Sequence, residues 1–258
     1  VVGGSTGYSG APVLCARGAL RSGAGLVSLA VPEAVYPISA AKCDEAMASP
    51  LPAGEDGRLS EEALVPLLGA LAGKDAALIG PGLGQNPGLD SLVCQVLSTV
   101  NFPMVVDADG INGLAGHMDE WERRRGWVTV LTPHEGEFLR VGGNLSQGRT
   151  AAATEFAHQS GAVVVLKGPG TVVAGPDGRC RVNTTGNCGM AKGGSGDVLS
   201  GVVLALLGLG MDAFDACCCA VWLHGRAGDL AAQEKGQWGM TPTDLLERLP
   251  QALREVTE

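Results

Sequence analysis

Apolar residues along this chain fall into two kinds of run. Four short ones, at residues 76–79, 104–106, 128–131 and 162–166, are apolar almost throughout and do not alternate with polar positions. A strand apolar on both faces is covered on both faces, the habit of parallel sheets flanked by helices. Residues 26–31 and the opening Val1-Val2 read as further strands. The second kind of run is longer. It predicts helices over 11–22, 89–100, 150–159, 198–209, 213–233 and 242–258, the last with Thr241 or Thr243 as N-cap. Residues 171–174 and 179–183 flank Gly175-Pro176-Asp177-Gly178 and predict an inserted β-hairpin. The alternation of strand and helix predicts an α/β fold. No interior linker or fixed-period repeat interrupts it, so one domain over 1–258 is the simplest organisation.

The polar residues are placed as regularly as the apolar ones. Each strand ends in groups suited to a ligand: Gly80-Pro81-Gly82-Leu83-Gly84, Asp107-Ala108-Asp109-Gly110, Thr132-Pro133-His134-Glu135-Gly136-Glu137 and Lys167-Gly168-Pro169-Gly170. Open α/β sheets bind ligands along the C-terminal edge of their strands, so four such ends build one crevice. Ahead of the 198–209 helix stands Gly193-Gly194-Ser195-Gly196-Asp197. A glycine-rich turn feeding a helix N-terminus presents unpaired N–H groups and a favourable dipole to an anion. A carboxylate in such a place would repel a phosphate. It makes sense if Asp197 takes a proton from a hydroxyl while the amides hold a transferring phosphoryl group. The loop therefore points to nucleotide-dependent chemistry on an alcohol. No Walker A pattern occurs in the sequence, which disfavours P-loop chemistry.

The remaining motifs admit two readings each. Gly3-Gly4-Ser5-Thr6-Gly7-Tyr8-Ser9-Gly10 is a tight turn or a cover over part of a ligand. Ser22-Gly23-Ala24-Gly25 is a helix C-cap, and the small Ala24 would also admit a flat ligand. Asp107 and Asp109 either bind Mg²⁺, which favours one or two carboxylates plus phosphates, or cap the next helix. His134 has no H-E-x-x-H partner, yet its strand-end position favours ligand contact, while Glu135 and Glu137 read as first-turn helix acids. Lys167 and the turn after it are suited to gripping a nucleotide. His224, Arg226 and Asp229 read as neighbours bonded along one helix face.

Composition narrows the partners. The net charge is −9, which argues against nucleic-acid polymers and anionic membranes. An anionic ligand must then be held by local dipoles. No stretch is long and apolar enough for a membrane span, and no signal peptide is visible. The eight cysteines lack C-x-x-C spacing, and Cys217, Cys218 and Cys219 are consecutive in an apolar run. They read as reduced, mostly buried thiols in a reducing, cytoplasmic compartment. Val1-Val2 runs straight into glycine like a strand cut short, so residues or a domain are expected upstream.

Taken in order, these segments resemble one family over nearly the whole chain. Gly-Gly-Ser-x-Gly-Tyr-x-Gly-Ala-Pro, Arg21-Ser-Gly-Ala-Gly-Leu-Val, Gly-Pro-Gly-Leu-Gly, Val-Asp-Ala-Asp-Gly, Thr-Pro-His-x-Gly-Glu, Lys-Gly-x-Gly-Thr and Gly-Asn-x-Gly-Met-Ala-x-Gly-Gly-x-Gly-Asp-Val-Leu follow one another. The set is similar to the ADP- or ATP-dependent NAD(P)H-hydrate dehydratases, a branch of the ribokinase-like superfamily. The resemblance implies a ribokinase-like three-layer sandwich, a mostly parallel central sheet flanked by helices. It implies a repair lyase that phosphorylates the C6 hydroxyl of the S-epimer of hydrated NAD(P)H and then eliminates phosphate. It places the hydrate at Ala24, Gly82, Gly84, His134 and Asp197, with Asp197 as base. It places the nucleotide at Lys167, Gly168, Pro169, Gly170, Thr171, Gly193, Gly194, Ser195 and Gly196. Mg²⁺, a homo-oligomeric state and an associated epimerase are implied in the same way. Cys188 and Lys192 depart from the family pattern. Lys192 is either solvated or an added positive charge beside the loop. Two rivals share the anion loop: a kinase of a hydroxymethyl pyrimidine or thiazole alcohol, and a non-catalytic dinucleotide sensor.

Overall fold

The computed structural model describes residues 1–117 and 121–257. The strands are β1 (Ser28–Pro32), β2 (Met47–Leu51), β3 (Ala77–Ile79), β4 (Met104–Val106), β5 (Thr129–Leu131), β6 (Val163–Leu166), β7 (Val172–Ala174) and β8 (Cys180–Val182). The principal helices are α1 (Gly10–Arg21), α2 (Tyr36–Lys42), α3 (Leu64–Leu71), α4 (Pro87–Thr99), α5 (Asp109–Asn112), α6 (Glu135–Arg140), α7 (Arg149–Ser160), α8 (Ser195–Gly208), α9 (Ala213–Gly239) and α10 (Pro242–Thr257). Strands β3 to β8 lie side by side in chain order, parallel as far as β6 and antiparallel across β6–β7–β8. Strands β1 and β2 form a parallel pair. Val2 joins the two groups by bridging to Ala30 of β1 on one side and Ile79 of β3 on the other.

The apolar runs explain the layering. Every residue of β3, β4, β5 and β6 is buried. Successive side chains on a strand point to opposite faces. Leu78, Val105 and Val130 accordingly enter one core with residues of α1, α8, α9 and α10. Ile79, Val106 and Leu131 enter the other with residues of α3, α4 and α7. The result is a three-layer α/β sandwich. On its first face α1 and α8 pack almost backbone to backbone. A Cβ at Gly18 would stand 2.8 Å from the Val198 carbonyl oxygen, and one at Gly201 would collide with that of Cys15.

The structure departs from the pattern at identifiable places. The opening strand shrinks to a bridge at Val2. The 213–233 helix continues to Gly239, with a non-helical Gly236 (φ 72°, ψ 152°) near its end. The 242–258 helix is present through Thr257, and residue 258 lies outside the described residues. At its start the Thr241 and Asp244 side chains exchange bonds with each other's backbone N–H, at 3.4 and 2.7 Å. Among the described residues no helix is long and apolar enough to cross a membrane.

Candidate functional site

The C-terminal edge of the sheet opens into a cavity of about 800 Å³. Asp107 and Ala108 after β4, His134 after β5, Lys167 to Thr171 after β6, and Gly193 to Asp197 at the start of α8 all line it. Eleven positions expected to touch the substrate or nucleotide thus meet in one place: His134, Lys167, Gly168, Pro169, Gly170, Thr171, Gly193, Gly194, Ser195, Gly196 and Asp197.

The start of α8 is built for an anion. Gly194 occupies the N-cap in a left-handed conformation (φ +100°), and no side chain caps the helix. Ser195 N–H is taken by the Lys192 carbonyl and Val198 N–H by that of Gly194, each at 3.2 Å. The Gly196 and Asp197 amides between them are first-turn donors of the kind a helix leaves for a ligand. Asp197 projects from this turn into partly buried surroundings. Burial, reinforced by the charge of Asp107, pushes its carboxyl up to about 6, although Lys167 pulls the other way. Such a group is ionised at neutral pH and remains basic enough to accept a proton.

Beneath it lies a buried charge network. Lys167 Nζ donates to Asp107 Oδ1 at 2.7 Å and stands 3.9 Å from Glu137 Oε2. Burial alone would lower the lysine's pKa, but Asp107, Glu137 and Asp197 together raise it, so its positive charge persists. Asp107 Oδ2 accepts from Ser200 Oγ at 2.6 Å, and the same hydroxyl lies 3.1 Å from the Gly196 carbonyl. The network therefore ties the ends of β4 and β6 to the first turn of α8. From the other side His224 Nε2 lies 2.9 Å from the Ser195 carbonyl. Burial pushes this histidine down to about 4, so it is neutral and donates Nε2–H to that oxygen.

Several expectations need correction. Asp107 and Asp109 do not cap α5. Its N-cap is Ala108, strained at φ 50°, and the Asp109 carboxylate accepts from the Gly84 amide and the Gln85 and Asn112 side chains. Asp107 accepts instead from Lys167 and Ser200, one on each oxygen. Among the described residues no cluster of three or more metal-ligating side chains exists. His224, Arg226 and Asp229 do not bond to one another. They reach Ser195, Glu255, and the Gly186 amide with the Asn187 side chain, respectively. Lys192 is not simply solvated: its ammonium donates to the carbonyls of Trp238 and Met240 at the end of α9. His134 has a structural duty, since its ring accepts from Glu137 N–H at 3.1 Å in a capping box, yet its side chain stays half exposed on the cavity wall. The remaining three expected positions fall outside the cavity. Gly82 and Gly84 sit beside it, where Gly82 accepts from Ser5 Oγ and Gly84 donates to Asp109. Ala24 follows the C-terminus of α1, where Gly23 faces Leu209 past the far end of α8. The structure separates it from Asp197 by the length of that helix, about 20 Å for 14 residues.

Arg149 escaped the sequence reading. Its guanidinium donates to the carbonyls of Leu166, Pro169 and Gly170 and so fixes the turn after β6. A lone arginine at a helix start carries no motif, and only its long-range partners reveal the role.

The geometry meets its parallels in known proteins. A family model described as NAD(P)H-hydrate dehydratase matches residues 1–251. The bifunctional NAD(P)H-hydrate repair enzyme Nnr of Moorella thermoacetica is 45% identical over 261 residues, covering 100% of this chain and 49% of that protein. The chain thus spans about half the length of the curated relatives it matches. A crystal structure of the ADP/ATP-dependent NAD(P)H-hydrate dehydratase of Bacillus subtilis, co-crystallised with ATP and Mg²⁺, superposes with a TM-score of 0.80. It is 34% identical, covering 98% of this chain and 87% of that one. A ribokinase-like superfamily protein of Enterococcus faecalis superposes at 0.84 with 26% identity, covering 98% of this chain and 85% of that one. With its ribokinase-like sandwich and its carboxylate at a glycine-built anion turn, this chain belongs to the NAD(P)H-hydrate dehydratase family.

Proposed function

We propose that residues 1–258 act as one domain that restores NAD(P)H from its S-hydrate at the expense of ADP or ATP. The observation that carries the reading is Asp197, a carboxylate of raised pKa at an uncapped helix N-terminus, facing a cavity of about 800 Å³. Hydroxide leaves poorly at neutral pH, so the C6 hydroxyl must be converted to a better leaving group. Asp197 accepts the hydroxyl proton as the oxygen attacks the terminal phosphoryl group, and the bond from phosphorus to the departing nucleotide breaks. The Gly193 to Gly196 turn and the helix dipole stabilise the charge on the transferring group, and donors placed this way are commonly worth ~3 kcal/mol each. The ring nitrogen lone pair then expels phosphate from C6. Loss of the C5 proton restores the double bond. Hydrate and ATP become NAD(P)H, ADP and phosphate.

Gly82, Gly84 and His134 line the approach on the hydrate side, and Lys167 to Thr171 hold the nucleotide. Ala24 lies too far from Asp197 to share a ring with it. Asp107 and Asp109 do not make up a protein-held metal site by themselves, because among the described residues no cluster of three or more possible metal ligands surrounds them. Mg²⁺ belongs to the substrate as the nucleotide's counter-ion, the usual habit of an ion that keeps its waters and binds phosphate. A homo-oligomeric state and an epimerase partner complete the proposal. The epimerase is supported by the bifunctional relatives, of which this chain matches about half.

The test mixes protein, Mg²⁺ and purified S-hydrate with ADP or ATP and follows the near-ultraviolet band of reduced nicotinamide. Growth of the band that disappears in Asp197→Asn supports the reading. Nucleotide turnover without growth of the band would favour a small-alcohol kinase, and no turnover at all a sensor.

A further inference from the structure

Beside the cavity three loops converge at the C-terminal edge of the sheet. The turn at residues 54–58 is closed by hydrogen bonds from Gly54 N–H to the Arg58 carbonyl and from Gly57 N–H to that of Gly54, both 2.9 Å. Asp56 Oδ1 accepts from Arg58 N–H at 3.0 Å and fixes the turn internally. The turn docks on the glycine-rich N-terminal segment through Thr6 N–H and the Gly57 carbonyl, 3.2 Å. It also lays the Arg58 side chain across Gly84. A Cβ at Gly84, which has φ +79°, would collide with Arg58 Nε.

The guanidinium is only partly committed. One terminal nitrogen pairs with Asp56 at 2.9 Å. Nε is buried without any hydrogen-bond partner, a costly state for a donor on a charged group. The side chain as a whole is 34% exposed, so it also faces solvent. Asp109 is bound to the amide of Gly84, and the cavity beyond holds Asp107 and Asp197. A dinucleotide brings a pyrophosphate, and NADPH a further phosphate, into a chain of net charge −9. Lys167 is engaged by Asp107 on the opposite flank.

We propose that Arg58 is a phosphate-binding residue for the dinucleotide, seated where Gly84 leaves the backbone open. This assignment rests on the hydrate-dehydratase reading above. A guanidinium with free donors matches phosphate oxygens in geometry as well as charge.

The experiment compares wild type with Arg58→Ala and Arg58→Lys. Arg254→Ala, an exposed arginine at the end of α10, serves as the charge control. KM is measured for NADH hydrate, for NADPH hydrate and for the nucleotide, and binding of NADH and NADPH is followed by their fluorescence. Arg58→Ala is expected to raise KM and Kd for the dinucleotide roughly 10- to 100-fold, with partial recovery in Arg58→Lys and no change in nucleotide KM. A loss confined to the NADPH forms identifies the 2′-phosphate, and an equal loss with both identifies the pyrophosphate. Unchanged dinucleotide affinity, or a loss matched by Arg254→Ala, overturns the assignment. Should wild type bind dinucleotide yet show no turnover, the dehydratase reading fails while the binding series still decides Arg58. Absence of dinucleotide binding by wild type sinks both.

Discussion

The two flanks of the ligand edge are made from different materials. On one flank, around α8, charges are buried and paired: Lys167 with Asp107, Ser200 beneath both, His224 neutral against the Ser195 carbonyl. On the other, loops of small residues are fixed by backbone bonds such as Gly4 N–H to the Pro81 carbonyl and Ser5 Oγ to that of Gly82. The first flank must keep a carboxylate, a lysine and a set of amides in register while charge moves. Preorganised dipoles in a low-dielectric setting do this at no cost of reorganisation during reaction. The second flank carries open backbone and a single partly committed guanidinium, that of Arg58.

The largest effect should follow loss of the base. Asp197→Asn is expected to lower kcat about 10³-fold, with nucleotide binding, read by calorimetry, close to wild type. Loss of nucleotide affinity in parallel would instead mean that the carboxylate shapes the turn. Next comes the buried pair. Lys167→Met leaves Asp107 buried and charged without its counter-ion, with only the Ser200 hydroxyl bond remaining, and should destabilise the fold by ~3 kcal/mol or more. Adding Asp107→Leu should recover part of that in denaturant titration. If the single variant is as stable as wild type, the network is not what holds this flank.

pH separates the groups further. Activity should decline as pH falls through about 6, because protonated Asp197 cannot accept a proton. A rate that stays level down to pH 5 would rule it out as base. The raised carboxyl pKa also means that folding stability contributed here is greatest when acid and diminishes as pH rises from about 4 to about 6. His224 works in the opposite direction. Its folded pKa is depressed, so its contribution is full above about 6.5 and is lost as pH falls toward about 4. A His224→Gln variant should show a flatter acid limb in thermal denaturation.

The smallest effect belongs to the second flank's neighbour. His134→Ala should cost about 1 kcal/mol from the lost cap on α6, measured by melting. His134→Asn keeps a capping side chain. A raised hydrate KM in that variant, at unchanged Tm, would sharpen the contrast by assigning the imidazole to the ligand. An unchanged KM would leave it a cap alone.

The sheet's central strands were legible because burial on both faces leaves no polar position to obscure them. The hairpin was legible from Gly175-Pro176-Asp177-Gly178, and the anion turn from its glycines. Residues 33–75 carried little signal. β2 has mostly exposed or half-exposed positions and a proline, Pro50, as only an edge strand tolerates. Partnership across distance was the other blind spot. Nothing in local spacing announces that Asp107 meets Ser200, that His224 reaches Ser195, or that Arg149 fastens Pro169. Ala24 shows the converse limit, in which a motif is legible while its distance from Asp197, set by the length of α8, is not.

The bridge at Val2 has a consequence for how the molecule forms. The β1–β2 pair is hydrogen-bonded to the main sheet by way of the first residues: Val2 N–H bonds the Leu78 carbonyl at 2.7 Å, and Ala30 N–H that of Val1 at 2.8 Å. These contacts join positions more than seventy residues apart on one side and nearly thirty on the other. Closing such loops is slow relative to local helix formation. The seam is therefore expected to zip late in folding and to open early under stress, and the amides of Val2 and Ala30 should lose hydrogen-exchange protection before those of β4 and β5.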